Sequence, residues 1–397
     1  MKFIRFLQEP LAKILERGKS VLLLGPRQTG KTTLIKHWKA DKIFTLANPK
    51  DRLRYEKDPA LLTSEIEYLA ERLALETPPR IPLIVIDEVQ KLPILMDAAQ
   101  DLIDRDLAQF ILTGSSARKL RRGSEDVNLL PGRLIPLRMD PLTYQEAPEN
   151  TSIESFLLEG SLPEIILQET LEDKEMLLDA YVSIYLEEEI RAEALVRDLG
   201  SFARFLEFAA SEAGKMMNFT KLSQEIGVSQ STISAYYQIL EDCLITERIE
   251  PLTESTTRKR LSKAQKFLFY DMGVRRIAAR EGRGPSRERL GQLFEQWVGL
   301  ELIRQIHLAR RRYQVKYWSD PSGPEVDWVI DKEGVYIPIE VKWTDSPKSI
   351  DAKHLQIFLR EYPTAKKGFV ICNTPHALKL SENITALPWK QLTEVFE

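Results

Sequence analysis

The run Gly25-Pro26-Arg27-Gln28-Thr29-Gly30-Lys31-Thr32 follows a short apolar stretch, VLLL at 21–24, and leads into LIKHWKA. It fits G-x-x-x-x-G-K-[ST] at every fixed position. Glycines at both ends let the backbone wrap an oxyanion with its N–H groups inward. Lys31 brings an ammonium to the outer phosphates, and Thr32 offers a hydroxyl to Mg²⁺. Thr33 opens the helix that follows, whose N-terminus favours the same negative charge. The chemistry such a set serves is binding of a nucleoside triphosphate.

A second apolar run, LIVI at 83–86, ends in Asp87-Glu88, and a third, FIL at 110–112, ends in Thr113-Gly114-Ser115-Ser116. Continuous apolar runs of this length, separated by helical stretches, are the pattern of a parallel sheet covered on both faces. In such a sheet the residues just past the strands gather at one edge, beside the phosphate loop. Asp87 is therefore placed to hold Mg²⁺ with Thr32, and Glu88 to orient or deprotonate an attacking water. Thr113 and Ser115 are small polar groups suited to sensing a γ-phosphate. Acids at strand ends also serve as helix caps and small polar residues as turns, so it is their company with the loop that gives them a catalytic reading.

Together with FTLANPKDR (44–52), LPGRLIPLRMDPLTYQE (130–146) and GSLPE (160–164), these segments resemble AAA-type P-loop ATPases of bacteria and archaea. In that family a winged-helix region and a C-terminal domain of unknown function stand behind the ATPase. The segments occur in the family's order over nearly the whole chain. The resemblance implies ATP bound by residues 25–33, magnesium at Asp87, and a catalytic role for Glu88 beside Lys31. It also implies a sensor at Thr113 or Ser115 and an arginine, Arg133, that reaches the γ-phosphate of its own or a neighbouring subunit. Relatives of this type often form rings, so a homo-oligomer enters the reading. One departure stands at Ala47, where the family usually has an acid.

A different charged set lies toward the C-terminus: Glu295 in LFEQWV, Asp327 in PEVDWVI, and Glu340 and Lys342 in YIPIEVKW. Side chains two apart on a strand share a face, so Glu340 and Lys342 are presented as an acid–amine pair. Asp327, a hairpin's length earlier, is expected beside Glu340, where the two make an oxygen site for Mg²⁺ or Mn²⁺. Lys342 would orient water or stabilise phosphate charge. The order D…E-x-K resembles the restriction-endonuclease-like nucleases. That resemblance implies catalytic roles for Asp327, Glu340 and Lys342, and a helical glutamate, here Glu295, completing the metal site. Ion pairs on a surface hairpin would account for the same short pattern.

These residues need elements to hold them. At about 150 residues per domain, 397 residues predict two or three folded units. The expected division is a P-loop α/β parallel sheet over 1–150, a helical and winged-helix region over 151–255, and an α+β, restriction-endonuclease-like domain over 256–397. Within the middle, residues 218–249 have the shape of helix-turn-helix, with Gln230, Ser231 and Thr232 opening the second helix. No lysine or arginine lies between Lys221 and Arg248, which favours a structural or protein-docking role over reading DNA. The charged, glycine-containing stretch REGRGPSRER at 280–289 predicts a mobile loop.

Composition narrows the classes further. Hydrophobic residues make up 43% and charged residues 29%, which excludes disorder, and two cysteines and four scattered histidines leave no disulfide framework or zinc finger. No apolar run nears the roughly 20 residues of a membrane span, so a cytoplasmic protein without membrane contact is expected. The net charge of −3 conceals an uneven distribution. Residues 151–200 carry 3 basic and 13 acidic side chains, and residues 251–312 carry 15 and 6. DNA or RNA contact is therefore expected through the C-terminal half. Two functions remain: an ATPase that processes nucleic acid, and a nucleotide-dependent switch whose inactive rear domain docks a protein partner.

Overall fold

The computed structural model describes residues 3–116, 132–186, 198–253, 261–320 and 323–397. Most of the acidic run YLEEEIRAEA at 185–194 lies outside them. The chain divides into two compact units: residues 1–142 with 242–245, and residues 143–241 with 246–397.

In the first unit the apolar runs become strands. β1 (Ser20–Leu24), β2 (Lys42–Thr45), β3 (Leu83–Asp87), β4 (Gln109–Gly114) and β5 (Leu134–Arg138) form one sheet in the order β2-β3-β4-β1-β5, every pair parallel. Helices α1 (Gln8–Glu16), α2 (Lys31–Ile35), α3 (Pro49–Lys57), α4 (Ala60–Ala74) and α5 (Leu95–Asp104) connect or cover these strands. α3 starts where it does because the Asn48 side chain accepts the Lys50 N–H and Pro49 brings a helical φ to the first turn. A core of Leu22, Phe44, Ile66, Ile84, Phe110 and Leu112 fixes β3 and β4 rigidly beside β1. The sequence patterns missed β2 and β5, which are short and have exposed positions.

In the second unit the helical middle does not stand alone, because its apolar faces are used up on the C-terminal part. α6 (Ile153–Leu158), α7 (Pro163–Ile166), α8 (Leu171–Ala180) and α9 (Leu199–Ser211) lead to the helix-turn-helix pair α10 (Phe219–Ile226) and α11 (Gln230–Asp242). The turn between the pair is closed by Gly227 at φ 80°, and β6 (Thr246–Ile249) pairs antiparallel with β7 (Lys266–Phe269). Tyr237 stacks on Phe267 with centroids 4.0 Å apart, and Phe156 on Trp297 at 5.7 Å.

After α12 (Met272–Ala278) comes the long α13 (Arg287–Ala309), which runs against a second sheet. That sheet has the order β12-β13-β11-β10-β9-β8. β8 (Gln314–Ser319), β9 (Glu325–Lys332) and β10 (Val335–Val341) are an antiparallel meander. α14 (Lys353–Glu361) leads into β11 (Gly368–Cys372), parallel to β10, and β12 (Leu378–Ser381) and β13 (Ile384–Pro388) finish the sheet. The loop expected to be mobile at 280–289 is tied down. Arg283 bonds Glu159 and Glu175 at 2.8 Å each, Arg289 bonds Glu281 at 2.5 Å, and residues from 287 onward are already helix, capped by Ser286. Among the described residues no helix is long and apolar enough to cross a membrane.

Candidate functional site

The carboxyl edge of the first sheet brings the phosphate loop and the strand-end acids together. Gly25 follows β1 directly, and its N–H bonds the Gly114 carbonyl at 3.2 Å. A Cβ at Gly25 would lie 2.2 Å from the Met139 carbonyl oxygen, so the backbone after β5 packs on the loop at a distance only glycine allows. Gln28 at φ 61° and Gly30 at φ 96° turn the chain into α2. Thr29 donates its hydroxyl to the Pro26 carbonyl at 2.9 Å, and the buried Lys31 ammonium donates to the carbonyls of Gly25 and Pro26 at 2.7 and 2.8 Å. Arg27, Thr32 and Thr33 complete the segment, with Thr33 in the first turn of α2.

Asp87 joins the three parts. Its Oδ2 accepts the Thr32 hydroxyl at 3.1 Å and its Oδ1 the Thr113 hydroxyl at 2.5 Å. Thr113 in turn accepts the Glu88 N–H at 3.1 Å. Glu88 stands in the left-handed region, φ 63°, a conformation that costs a non-glycine residue of order 1–3 kcal/mol and aims its side chain out of the strand path. Hydroxyl and carboxylate are the hard oxygen donors Mg²⁺ prefers, and Thr32 and Asp87 already touch, so this pair fits that ion.

Two residues that sequence reasoning missed hold this arrangement. Gln90 donates to Glu88 Oε2 at 2.6 Å and to Ser115 Oγ at 3.0 Å, while its own Oε1 is buried without a partner. Arg5, ahead of α1 and nearly fully buried, donates to the carbonyls of Thr29 at 2.6 Å and Asp140 at 2.7 Å. The only sequence signal for Gln90 was its place two residues after Glu88, and Arg5 had none.

Arg133 is elsewhere. Leu134 pairs with Ser20 at the start of β1, whereas Arg138 pairs with Leu24 at the loop end. The four-residue step from 134 to 138 is about 13 Å along a strand. Arg133 is held by Asp104 at the end of α5, on the opposite edge. The arginine on the loop side is Arg138, bonded to Asp140 at 3.1 Å.

In the second unit the expected charged residues also come together, with an added member. The β9–β10 register pairs Trp328 with Ile339, which sets Asp327 opposite Glu340. Asp327 Oδ2 accepts the Val341 N–H at 2.8 Å, and Lys342, one residue past the strand end, bonds Glu340 Oε1 at 2.6 Å. Glu295 on α13 bonds Lys266 of β7 at 3.2 Å. The Lys266 ammonium lies over the rings of Tyr317 and Trp328 at 4.8 and 5.3 Å. Lys266, Arg289, Glu295 and Glu325 line a cavity of about 270 Å³.

Burial, then the charge of Asp327, pushes the Glu295 carboxyl up to about 7. The same causes hold Glu340 well above the usual carboxylate range. Burial would lower both lysines, but Glu295 and Asp327 raise Lys266, and Glu340 and Asp327 raise Lys342. Glu340 Oε2 is buried without a partner, a donor open to a hard cation. Among the described residues, however, no three His, Cys, Asp or Glu side chains converge closely enough to hold a metal ion. Glu295, expected from sequence as the third carboxylate, is bonded to Lys266. Asp327 and Glu340 remain as the pair whose chemistry fits Mg²⁺.

Parallel sheet, loop and strand-end acid define the class of the first unit as a P-loop NTPase-like domain. Residues 17–147 match the family model of an AAA domain, which supports an AAA-type ATPase-like family for this part of the chain. Residues 150–283 and 290–392 match two domains of unknown function, DUF8612 and DUF4143. Uncharacterized protein Rv2008c of Mycobacterium tuberculosis and uncharacterized protein Mb2031c of Mycobacterium bovis are each 25% identical over 388 residues, covering 96% of this chain and 82% of theirs. Uncharacterized protein MJ1637 of Methanocaldococcus jannaschii is 23% identical over 437 residues, covering 97% and 87%. A solved structure, protein VC1899 from Vibrio cholerae, aligns over 95% of this chain and 96% of that chain at 11% identity; its TM-score of 0.20 carries no argument about the fold.

Proposed function

We propose that the chain is an ATPase that binds ATP with Mg²⁺ in its first unit and carries a nuclease-like second unit. The observation that carries the reading is the bonded chain Thr32–Asp87–Thr113–Glu88 beside the phosphate loop. Lys31 binds the outer phosphates, exchanging the carbonyls of Gly25 and Pro26 for stronger, charge-assisted partners. Thr32 and Asp87 would hold Mg²⁺, which when bound neutralises charge on the phosphates. Glu88, fixed by Gln90, positions the attacking water in line with the γ-phosphate. Steady phosphate release that Lys31→Ala and Glu88→Gln both abolish is the expected result. Release unaffected by either substitution would end the proposal.

For the second unit, the meander β8–β10 after a long helix, followed by α14 and a strand parallel to β10, supports a restriction-endonuclease-like arrangement. Asp327 and Glu340 would hold Mg²⁺, and Lys342 would stabilise charge on a phosphodiester. Divalent-dependent cleavage lost in Asp327→Ala and Lys342→Ala tests this. A second reading, an ATP-driven switch with an inactive rear site, is favoured by Lys266, whose ammonium engages one of the three carboxylates. Absence of cleavage with full ATP turnover would select it. The position of Arg133 beside Asp104 favours a neighbouring chain's nucleotide over its own as the phosphate it would reach.

A further inference from the structure

Within the described part of the basic stretch, residues 261–312, five arginines are turned onto acids. Arg276 and Arg283 turn onto Glu175 and Glu159 of the acidic stretch, Arg275 and Arg289 onto Glu281, and Arg304 is buried on Glu301. Other cations lie at the end of that stretch and beyond it. Arg311 follows α13, Lys332 ends β9, and Lys367 precedes β11.

These three cations gather at one end of the second sheet. Arg311 lies over the rings of Phe396 and Tyr313 at 5.0 and 5.6 Å, Lys332 over Tyr313 at 5.2 Å, and Lys367 over Phe369 at 5.3 Å. Burial, then the charges of Arg311 and Lys367, lowers the Lys332 ammonium, so the three are near enough to repel one another. Of the two carboxylates that flank Lys332 in the chain, Asp331 is bonded to Lys316 at 2.7 Å, and Glu333 stands at φ 57° in the turn before β10. Like charges held together in this way favour an anion that lies across them.

Arg311 and Tyr313 also line a groove of about 330 Å³ with the apolar side chains of Ile303, Ile306 and Val315. That volume lies within the range of ligand pockets, and an apolar groove beside a tyrosine ring suits a heterocyclic base. Glu247 and Glu250 line the same groove, and of its cations Arg248 is bonded to Glu241 and Lys316 to Asp331, so the groove is less suited to a phosphate than the cation cluster is. Phosphate and base are thereby assigned to different places, the first to the cations and the second to the groove. Of the rings beneath the cations Phe369 is only 7% exposed and Tyr313 and Phe396 are half-buried, which suits a charged backbone better than a lipid surface.

We propose that this end of the second sheet binds single-stranded nucleic acid, with phosphates on Arg311, Lys332 and Lys367 and one base in the adjoining groove. The surface is separate from the acid–lysine site. Lys332 and Asp327 are five residues apart on β9, roughly 17 Å along the strand. The proposal stands whether or not that site cleaves.

Fluorescence anisotropy of a labelled oligothymidylate of about 20 nucleotides with the full chain tests it, since a strand of that length spans the ~4–16 nucleotides such surfaces take. Replacing all three cations together (Arg311→Glu, Lys332→Glu, Lys367→Glu) should weaken binding at least about tenfold. It should also flatten the slope of log affinity against log salt by about 2, as expected for three phosphate contacts on a single strand. Arg280→Glu, an exposed arginine elsewhere in the unit, should leave both unchanged. Circular dichroism verifies each fold, and a triple glutamine variant carries the test if the reversed triple does not fold. Equal affinity in wild type and a folded triple variant would overturn the proposal. So would no binding by the wild type, tighter binding of a duplex of the same length, or binding to phosphatidylserine vesicles without binding to the oligonucleotide.

Discussion

Thr113 donates its hydroxyl to Asp87 Oδ1 at 2.5 Å while accepting the N–H of Glu88 at 3.1 Å, so one side chain on β4 fixes both acids at the end of β3. Thr113→Val keeps the shape and removes both bonds. A hydrogen bond to a charged group is worth about 1.5–3 kcal/mol. ATP turnover should therefore fall about tenfold or more, with labelled-nucleotide uptake changed much less. Loss of uptake in step with turnover would show that Thr113 serves binding rather than the placement of Glu88.

Gln90 supports the other end of the same acid, and its buried Oε1 is an acceptor that the protein leaves open. Gln90→Leu should lower the rate of phosphate release by about 10- to 100-fold, the range seen when an outer partner that orients an acting group is lost, without weakening nucleotide binding. Rapid-quench measurement of a single turnover separates the two effects.

Arg5 joins the carbonyls of Thr29 and Asp140, linking the phosphate loop to the chain after β5. Arg5→Met leaves both carbonyls without this donor, at a cost of about 1–3 kcal/mol each if nothing replaces it. Nucleotide affinity should drop about tenfold or more, and Arg5→Lys should restore part of it. Equal loss of affinity in both variants would assign Arg5 a packing role only.

The pairing of acidic and basic stretches gives a pH dependence. Burial would raise Glu159, but hydrogen bonds from Lys174, Ser155 and Arg283 outweigh it and hold its carboxyl below the ordinary value of 4.5. A carboxylate depressed in the folded state contributes stability that is present above about pH 4.5 and lost as pH falls through its folded value. Glu159→Gln should lower unfolding free energy at pH 7 by on the order of 1–2 kcal/mol, discounted for the part that solvent screens, and flatten the acid limb of a denaturation series. An unchanged acid limb would show that the pair contributes nothing net.

The sequence made the first sheet legible because continuous apolar runs and a phosphate loop carry their own register: Asp87 and Thr113 both stand where a parallel sheet must put them. Arg133 was harder to place, since only the parallel fifth strand running from residue 134 to 138 shows which end of LPGRLIPLR lies toward the loop. The second unit was harder for a physical reason. Contacts such as Tyr237 with Phe267 and Arg276 with Glu175 join residues far apart in the chain, and no local periodicity reports them. Lys266 was invisible for the same cause: its partners Glu295 and Trp328 come from other elements.

Arg283 grips Glu159 and Glu175 from more than a hundred positions away, so the two halves of the second unit are each other's counter-ions. Expressed as separate fragments, each would be left with surplus charge of one sign beside uncovered aromatic rings. Mixed together they should reassemble without a covalent link, which makes this unit a natural candidate for split-protein complementation.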